Sequence, residues 1–147
     1  MGTLNLPTGG LVYVDTQVVI YSVEKHPDYW PLVRPLWLAS KAGEVEVISS
    51  ELVLLETLVG PMKNTADLLV ADYEQLLSST EIRLIPITRA ILKEAARLRA
   101  ETNLKAPDAI HAATSQAIGC DIFLTNDREF RRVSGLPLVL LTDIATP

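Results

Sequence analysis

The chain is short of every residue that builds a soft metal site or a covalent cross-link. It has 147 residues, with one cysteine and two histidines among them. With Cys120 alone, no intrachain disulfide can form. That cysteine reads as a small reduced core residue in a buried strand, and a chain without disulfides suits the cytoplasm. His26 and His111 are too few for a His/Cys metal centre, and His111 reads as a packing residue. No apolar run approaches the roughly 20 residues that span a bilayer. The first residues lack the basic start and apolar stretch of a secretory signal. Leu6 stands where a myristoylation signal needs Ser or Thr. Positive charge is also scarce: 13 basic residues face 18 acidic ones, giving a net charge of -5 and a pI near 5.0. That balance argues against a general polyanion binder. It leaves room for an acidic site with a local basic rim.

What the chain does have is apolar surface to bury. Hydrophobic residues make up 48% and charged residues 21%, which suits one domain with a full core over residues 1–147 and argues against disorder. Residues 1–10 read as a loose lead-in. Strands are expected at 11–15, 45–48, 82–85, 122–124 and 138–141. Helices are expected at 16–23, at 31–42 with Pro35 in or before its first turn, and from Ser49 or Ser50 to Gly60-Pro61. Further helices are expected at 65–77, after a Thr88 cap, and at 107–118, closed by Gly119. In the helix at 65–77, Leu68, Leu69, Tyr73, Leu76 and Leu77 share a side. In the helix after Thr88, Ile91, Leu92, Ala95, Ala96 and Leu98 mark the core face. Helices alternating with short apolar strands predict an α/β fold: a parallel sheet covered on both faces. In such a sheet, ligands sit outside the carboxyl ends of the strands.

Four acids fall where that fold would gather them. Asp15 ends the run Leu11-Val12-Tyr13-Val14. Asp127 follows Ile122-Phe123-Leu124, with Thr125 and Asn126 between. Glu56 interrupts an apolar helix. Asp108 opens an alanine-rich helix whose Ala109, Ala112 and Ala113 permit close packing on the sheet. Each acid has an ordinary alternative. Asp15 and Asp127 can cap the elements that follow them, although Thr16 could cap in place of Asp15. Asp108 can offset a helix dipole, and Glu56 can reach water from a boundary position. Glu51, in a solvated first turn, reads as bland. Taken together, four carboxylates in one pocket repel, and a divalent cation with hard oxygen ligands is their natural companion. Such a cation points to phosphate chemistry.

The segments Val12-Tyr13-Val14-Asp15-Thr16, Ser50 to Glu56, Leu104 to Thr114 and Phe123 to Phe130 resemble the PIN-domain family. Within it they are most similar to the ribonuclease toxins of VapBC toxin–antitoxin modules. The resemblance covers nearly the whole chain. It implies a PIN-like three-layer α/β/α fold with a central parallel sheet of four to five strands. It also implies an endoribonuclease dependent on Mg²⁺ or Mn²⁺. The family's four acidic positions fall on Asp15, Glu56, Asp108 and Asp127, and its polar support positions on Thr16 and Asn126, beside Thr125. Gln17 departs from the asparagine or serine of many relatives. The implied partners are an RNA substrate, a cognate antitoxin and a second copy of the chain. Lys105 and Arg128, within three residues of Asp108 and Asp127, are the candidates for phosphate contacts; Arg89, Arg131 and Arg132 follow. The segment Tyr29 to Leu38, with both tryptophans, is expected to leave an apolar groove for an amphipathic antitoxin helix. A PIN nuclease of RNA maturation and a non-catalytic PIN-like module are the alternatives. A haloacid-dehalogenase phosphotransfer site lacks its second acid, since Gln17 stands two residues after Asp15, and a receiver lacks the pair of acids it needs near the first strand.

Overall fold

A computed structural model describes residues 2–145. Five short apolar runs form one parallel sheet: β1 Leu11–Val14, β2 Glu46–Ser50, β3 Arg83–Ile85, β4 Ile122–Thr125 and β5 Leu138–Leu140. The strand order is β3-β2-β1-β4-β5, with Val12 opposite Val47 on one side and Ile122 on the other. The chain fills one half of the sheet and then jumps back across β1 to β4. The β1/β4 boundary is therefore the switch point, where a crevice opens at the carboxyl ends.

Side chains alternate along each strand, so each face receives its own core. Val12, Val14, Val47, Ile122 and Leu124 meet α1 (Thr16–Val23), α2 (Trp30–Lys41), α3 (Leu52–Lys63) and α4 (Asp67–Leu77). Tyr13, Ile48 and Phe123 meet α5 (Arg89–Thr102) and α6 (Ala106–Ile118). The result is the expected three-layer α/β/α arrangement. Phe123 stacks on Tyr13 with ring centroids 5.0 Å apart and tilts against Phe130 at 4.7 Å. Burying each such ring contributes on the order of 2–3 kcal/mol. No helix among the described residues is long and apolar enough to cross a membrane.

Several expectations need correction. Pro35 lies inside α2, not in its first turn. It sits on the exposed side, where water can take the carbonyl that its missing N–H leaves. Gly60-Pro61 does not end α3, which runs on to Lys63. Asn64 N–H to the Gly60 carbonyl and Ala66 N–H to the Pro61 carbonyl close the extra turn. Ser50, not Ser49, tethers the start of α3, accepting from Leu52 N–H at 3.1 Å; the Ser49 hydroxyl donates to the Val14 carbonyl inside the sheet. Leu68 is 86% exposed, and Leu92 is also exposed. The helix starts at Asp67, so Leu69, Tyr73 and Leu76 face inward without Leu68. Ala96 is exposed too, leaving Ile91, Ala95 and Leu98 as the inner stripe of α5. Cys120 is only half-buried, and it precedes β4 instead of lying in it. A short helix, α7 (Leu141–Ala145), follows β5 where only a strand was expected.

The segment 29–38 is divided between core and groove: Trp30, Pro31, Arg34, Pro35 and Leu38 border an open cavity of about 440 Å³. Leu32, Val33, Leu36 and Trp37 are core residues, and Trp30 packs against them. The Trp37 indole N–H donates to the Ser22 hydroxyl at 2.8 Å. Leu38, in the groove wall, is 53% exposed. The larger exposed apolar set is on α3, where Leu54, Leu55, Val59 and Met62 face outward and Leu55 is 66% exposed.

Met1 lies outside the described residues; the rest of the lead-in has neither helix nor strand but is tied down. Leu4 and Leu6 pack against the core, and Gly2 N–H bonds to the Ile144 carbonyl at 2.9 Å. Gly10 is the tight point. A Cβ there would stand 2.5 Å from Pro7 Cγ and 2.8 Å from an Asp121 carboxylate oxygen. That same oxygen accepts from Leu11 N–H and holds the start of β1. Gly10→Ala is therefore expected to cost about 1–3 kcal/mol by overpacking. Urea unfolding measures it, and an unchanged midpoint would show that the lead-in yields freely.

Candidate active site

Each of the four acids is delivered by a different element. Asp15 directly follows β1 and caps α1, with extended backbone at φ -82° and ψ 177°. One carboxylate oxygen accepts from Val18 N–H at 3.2 Å, and the other accepts from the Thr125 hydroxyl at the end of β4. Capping and membership of the pocket are thus not alternatives, because each oxygen takes one role. Thr16 does not cap. Its hydroxyl donates to Glu56 Oε1 at 2.6 Å.

Glu56 sits on the inward flank of α3, beside buried Val53 and Thr57. His111 Nε2 stands 2.9 Å from the same Oε1. Asp108 lies in the first turn of α6, after Pro107. Ala109, Ala112 and Ala113 are buried behind it, as close packing of this helix requires. Asp127 follows β4 and caps the 3₁₀ turn Arg128–Arg132, accepting from Glu129 N–H at 2.9 Å. Thr125 joins two of the acids. Its hydroxyl donates to Asp15 and accepts from Asp127 N–H at 3.0 Å.

These residues line one cleft of about 270 Å³, walled by Asp15, Thr16, Gln17, Ile20, Glu56, Asp108, His111 and Asp127. Its electrostatics follow from burial and crowding. Burial pushes the Asp15 carboxyl up to about 6, against the hydrogen bonds from Thr125 and Val18. Asp108 is raised by burial and then by the charge of Asp127. Burial would also raise Glu56, but hydrogen bonds from His111 and Thr16 outweigh it and hold Glu56 below the usual range. Among the described residues, no three His, Cys, Asp or Glu side chains converge into a ready-made cation cage. The Asp15 oxygens and Glu56 Oε1 each already accept from protein donors.

Two sequence expectations land elsewhere. Asn126 does not support an acid: its amide donates to the Tyr21 hydroxyl at 3.2 Å and its carbonyl oxygen accepts from Thr142 N–H at 3.0 Å. It fastens the β4 end to α1 and α7. His111 reads as a packing residue in the sequence, yet it is buried in the wall of the cleft and bonded to Glu56. Its place one helical turn after Asp108 is the signal that could have found it. Lys105 is the residue before α6, exposed, and its charge lowers Asp108. Arg128 is exposed at the start of the 3₁₀ turn. Neither lines the cleft. Arg131 and Arg132 are paired with Asp143 at 3.4 Å and Glu129 at 2.8 Å.

Among curated proteins, nothing matches the chain significantly. Solved structures do. VapBC2 from Rickettsia felis, bound to a DNA fragment from its promoter, is 22% identical; the match covers 88% of this chain and 98% of that one, with a TM-score of 0.72. DNA-bound VapBC from Salmonella typhimurium is 19% identical over 88% and 97%, with a TM-score of 0.70. VapC20 from Mycobacterium tuberculosis, a toxin that cleaves the sarcin-ricin loop, is 18% identical over 85% and 95%, also at 0.70. At such identities the likeness is one of fold. The sequence model of the PIN domain matches residues 12–136, from the strand before Asp15 to beyond Asp127. The chain belongs to the PIN domain family.

Proposed function

We propose that this protein is a divalent-cation-dependent endoribonuclease, the toxin of a toxin–antitoxin pair acting in the cytoplasm. One observation carries the reading: four carboxylates from four elements line a single cleft at the β1/β4 switch point. Membership of the PIN domain family supports nuclease chemistry, and the likeness to VapBC and VapC20 supports the toxin role.

The donor set suits Mg²⁺ or Mn²⁺. All four groups are hard oxygen ligands, and the upward push on Asp15 and Asp108 is a surplus of negative charge that a cation relieves. Asp15 and Asp108 are the proposed direct ligands. When bound, the cation supplies a more acidic water and offsets charge on the phosphate. Asp127 orients the attacking water. Glu56, held below the usual carboxylate range by His111 and Thr16, would help hold the cation or receive the proton the water gives up. Water oxygen bonds to phosphorus, the P–O3′ bond breaks, and a proton ends on O3′. The products are a 5′-phosphate and a 3′-hydroxyl.

Lys105 and Arg128 are proposed to hold the flanking phosphates. Neither forms an ion pair among the described residues. The Lys105→Ala/Arg128→Ala double variant is expected to bind single-stranded RNA more weakly and to lower the slope of log K against log salt by about 1 to 1.5. An unchanged slope across a salt series refutes their placement. The proposed partners are the antitoxin and a second copy of the chain, and the exposed leucines of α3 are apolar surface that such partners can cover. The deciding experiment is cleavage of labelled RNA with Mn²⁺ and with EDTA. Cleavage that survives EDTA ends the cation-dependent reading, and no cleavage with any divalent cation ends the nuclease reading. A protein that cleaves RNA but is harmless when overproduced and binds no antitoxin ends only the toxin reading.

A further inference from the structure

His111 is almost wholly buried, yet it spans residues far apart in the chain. Its Nδ1 lies 2.6 Å from the Tyr13 hydroxyl, and its Nε2 lies 2.9 Å from Glu56 Oε1 and 3.0 Å from Thr16 Oγ1. An imidazole is costly to bury unless both nitrogens are satisfied, and here both are. The partners fix the direction of each bond. An ionised Glu56 oxygen can only accept. Thr16 has already sent its hydrogen to that oxygen, so Nε2 carries the ring hydrogen. In the neutral ring Nδ1 is then bare and accepts from the Tyr13 hydroxyl. Tyr13 is itself immobile, stacked on Phe123 and edge-on to His111 at 5.8 Å. A rigid line therefore runs from the aromatic core through a phenol and an imidazole to one carboxylate oxygen. Among the described residues, the other oxygen, Oε2, has no hydrogen-bond partner.

We propose that His111 is the positioning residue of the cleft: anchored by Tyr13, it pins Glu56 Oε1 and so presents Oε2 to the divalent cation and its water. This rests on the cation-dependent reading above. A histidine that merely fills space would leave Glu56 equally effective with any residue of similar volume at 111.

The test uses full-length His111→Ala, His111→Gln, His111→Asn and Tyr13→Phe. The glutamine amide nitrogen falls near the place of Nε2 and can donate to Glu56; that of asparagine falls near Nδ1 and cannot. Mn²⁺ affinity is read from the free-ion spin-resonance signal, kcat and KM from labelled RNA, and folding from thermal melts. The alanine and asparagine variants are expected to lose about 10- to 100-fold in Mn²⁺ affinity and in kcat, as supports of metal ligands do, with KM little changed. Glutamine recovers most of this, and Tyr13→Phe falls between. Ring ¹⁵N spectra of the wild type should place the hydrogen on Nε2. A folded His111→Ala that binds Mn²⁺ and turns over like the wild type overturns the proposal. So does asparagine rescuing as well as glutamine, a ring hydrogen on Nδ1, or a wild type that binds no Mn²⁺. If the wild type binds Mn²⁺ but cleaves no RNA, the nuclease reading alone fails, and the affinities still decide the role of His111.

Discussion

Asp15→Asn is expected to lower RNA cleavage by about three orders of magnitude, near 4 kcal/mol of barrier, while the protein stays folded. The change is nearly isosteric. The asparagine carbonyl oxygen can still accept from Val18 N–H and cap α1, so the helix start survives. What goes is the one charge that sits at the end of the central strand, bonded by Thr125 and crowded by Asp108. On the proposed reading, a direct ligand and part of the field that would hold the cation disappear together. Cleavage of labelled RNA in Mn²⁺, beside urea unfolding of both proteins, checks this. A variant that cuts as fast as the wild type sinks the assignment, and equal cutting by both proteins in EDTA points to a contaminating nuclease.

The same substitution is expected to stabilise the protein at neutral pH when a chelator is present. The Asp15 carboxyl is raised from 3.8 to about 6 by burial. The native state therefore holds the proton more tightly than the unfolded chain, so the stability contributed by this group is full below pH 4 and is lost as pH rises through 6. The rise is equivalent to about 3 kcal/mol of differential stability between the protonated and ionised forms. Asp108 shifts in the same direction, whereas Glu56, held low, contributes stability that is lost as pH falls. The difference between variant and wild type isolates Asp15 from both. That difference should be small at pH 4 and grow to about 3 kcal/mol in favour of Asp15→Asn by pH 7. Urea curves at half-unit steps of pH test it, and a flat difference means that Asp15 is not strained by its burial.

These opposing demands explain which features could be read from the sequence. The strands were legible because Val12-Tyr13-Val14 and Ile122-Phe123-Leu124 are apolar runs that only a sheet covered on both faces can bury. The acids were legible because they stand at the ends of those runs or interrupt apolar stripes. Asn126 misleads because Thr125 bonds to Asp15 and Asp127 lines the cleft, while its own side chain turns to Tyr21 and Thr142; a turn redirects side chains in a way no pattern encodes. The role of His111 depends on Tyr13 and Glu56, 98 and 55 residues away, and no local spacing reveals such a meeting. Pro35 and Pro61 mislead for the opposite reason. Proline is a strong local signal, but packing of the whole helix overrides it; at Pro35 the orphaned Pro31 carbonyl can face water, and at Pro61 the bonds to the Gly60 and Pro61 carbonyls carry α3 one turn further.

The hydrogen bond between Thr125 and Asp15 joins residues 110 apart, and this has a meaning for synthesis on the ribosome. At about 5–20 residues per second, Thr125 is made roughly 5 to 20 seconds after Asp15. Through that interval β1 lacks one of its two neighbours and Asp127 does not yet exist, so the cleft has only part of its wall. Parallel pairing over such a span is also among the slower steps of folding. A growing chain is thus unable to assemble the site. On the proposed ribonuclease reading, the nascent chain is expected to leave its own message and ribosome uncut until β4 and the residues just after it have emerged and folded.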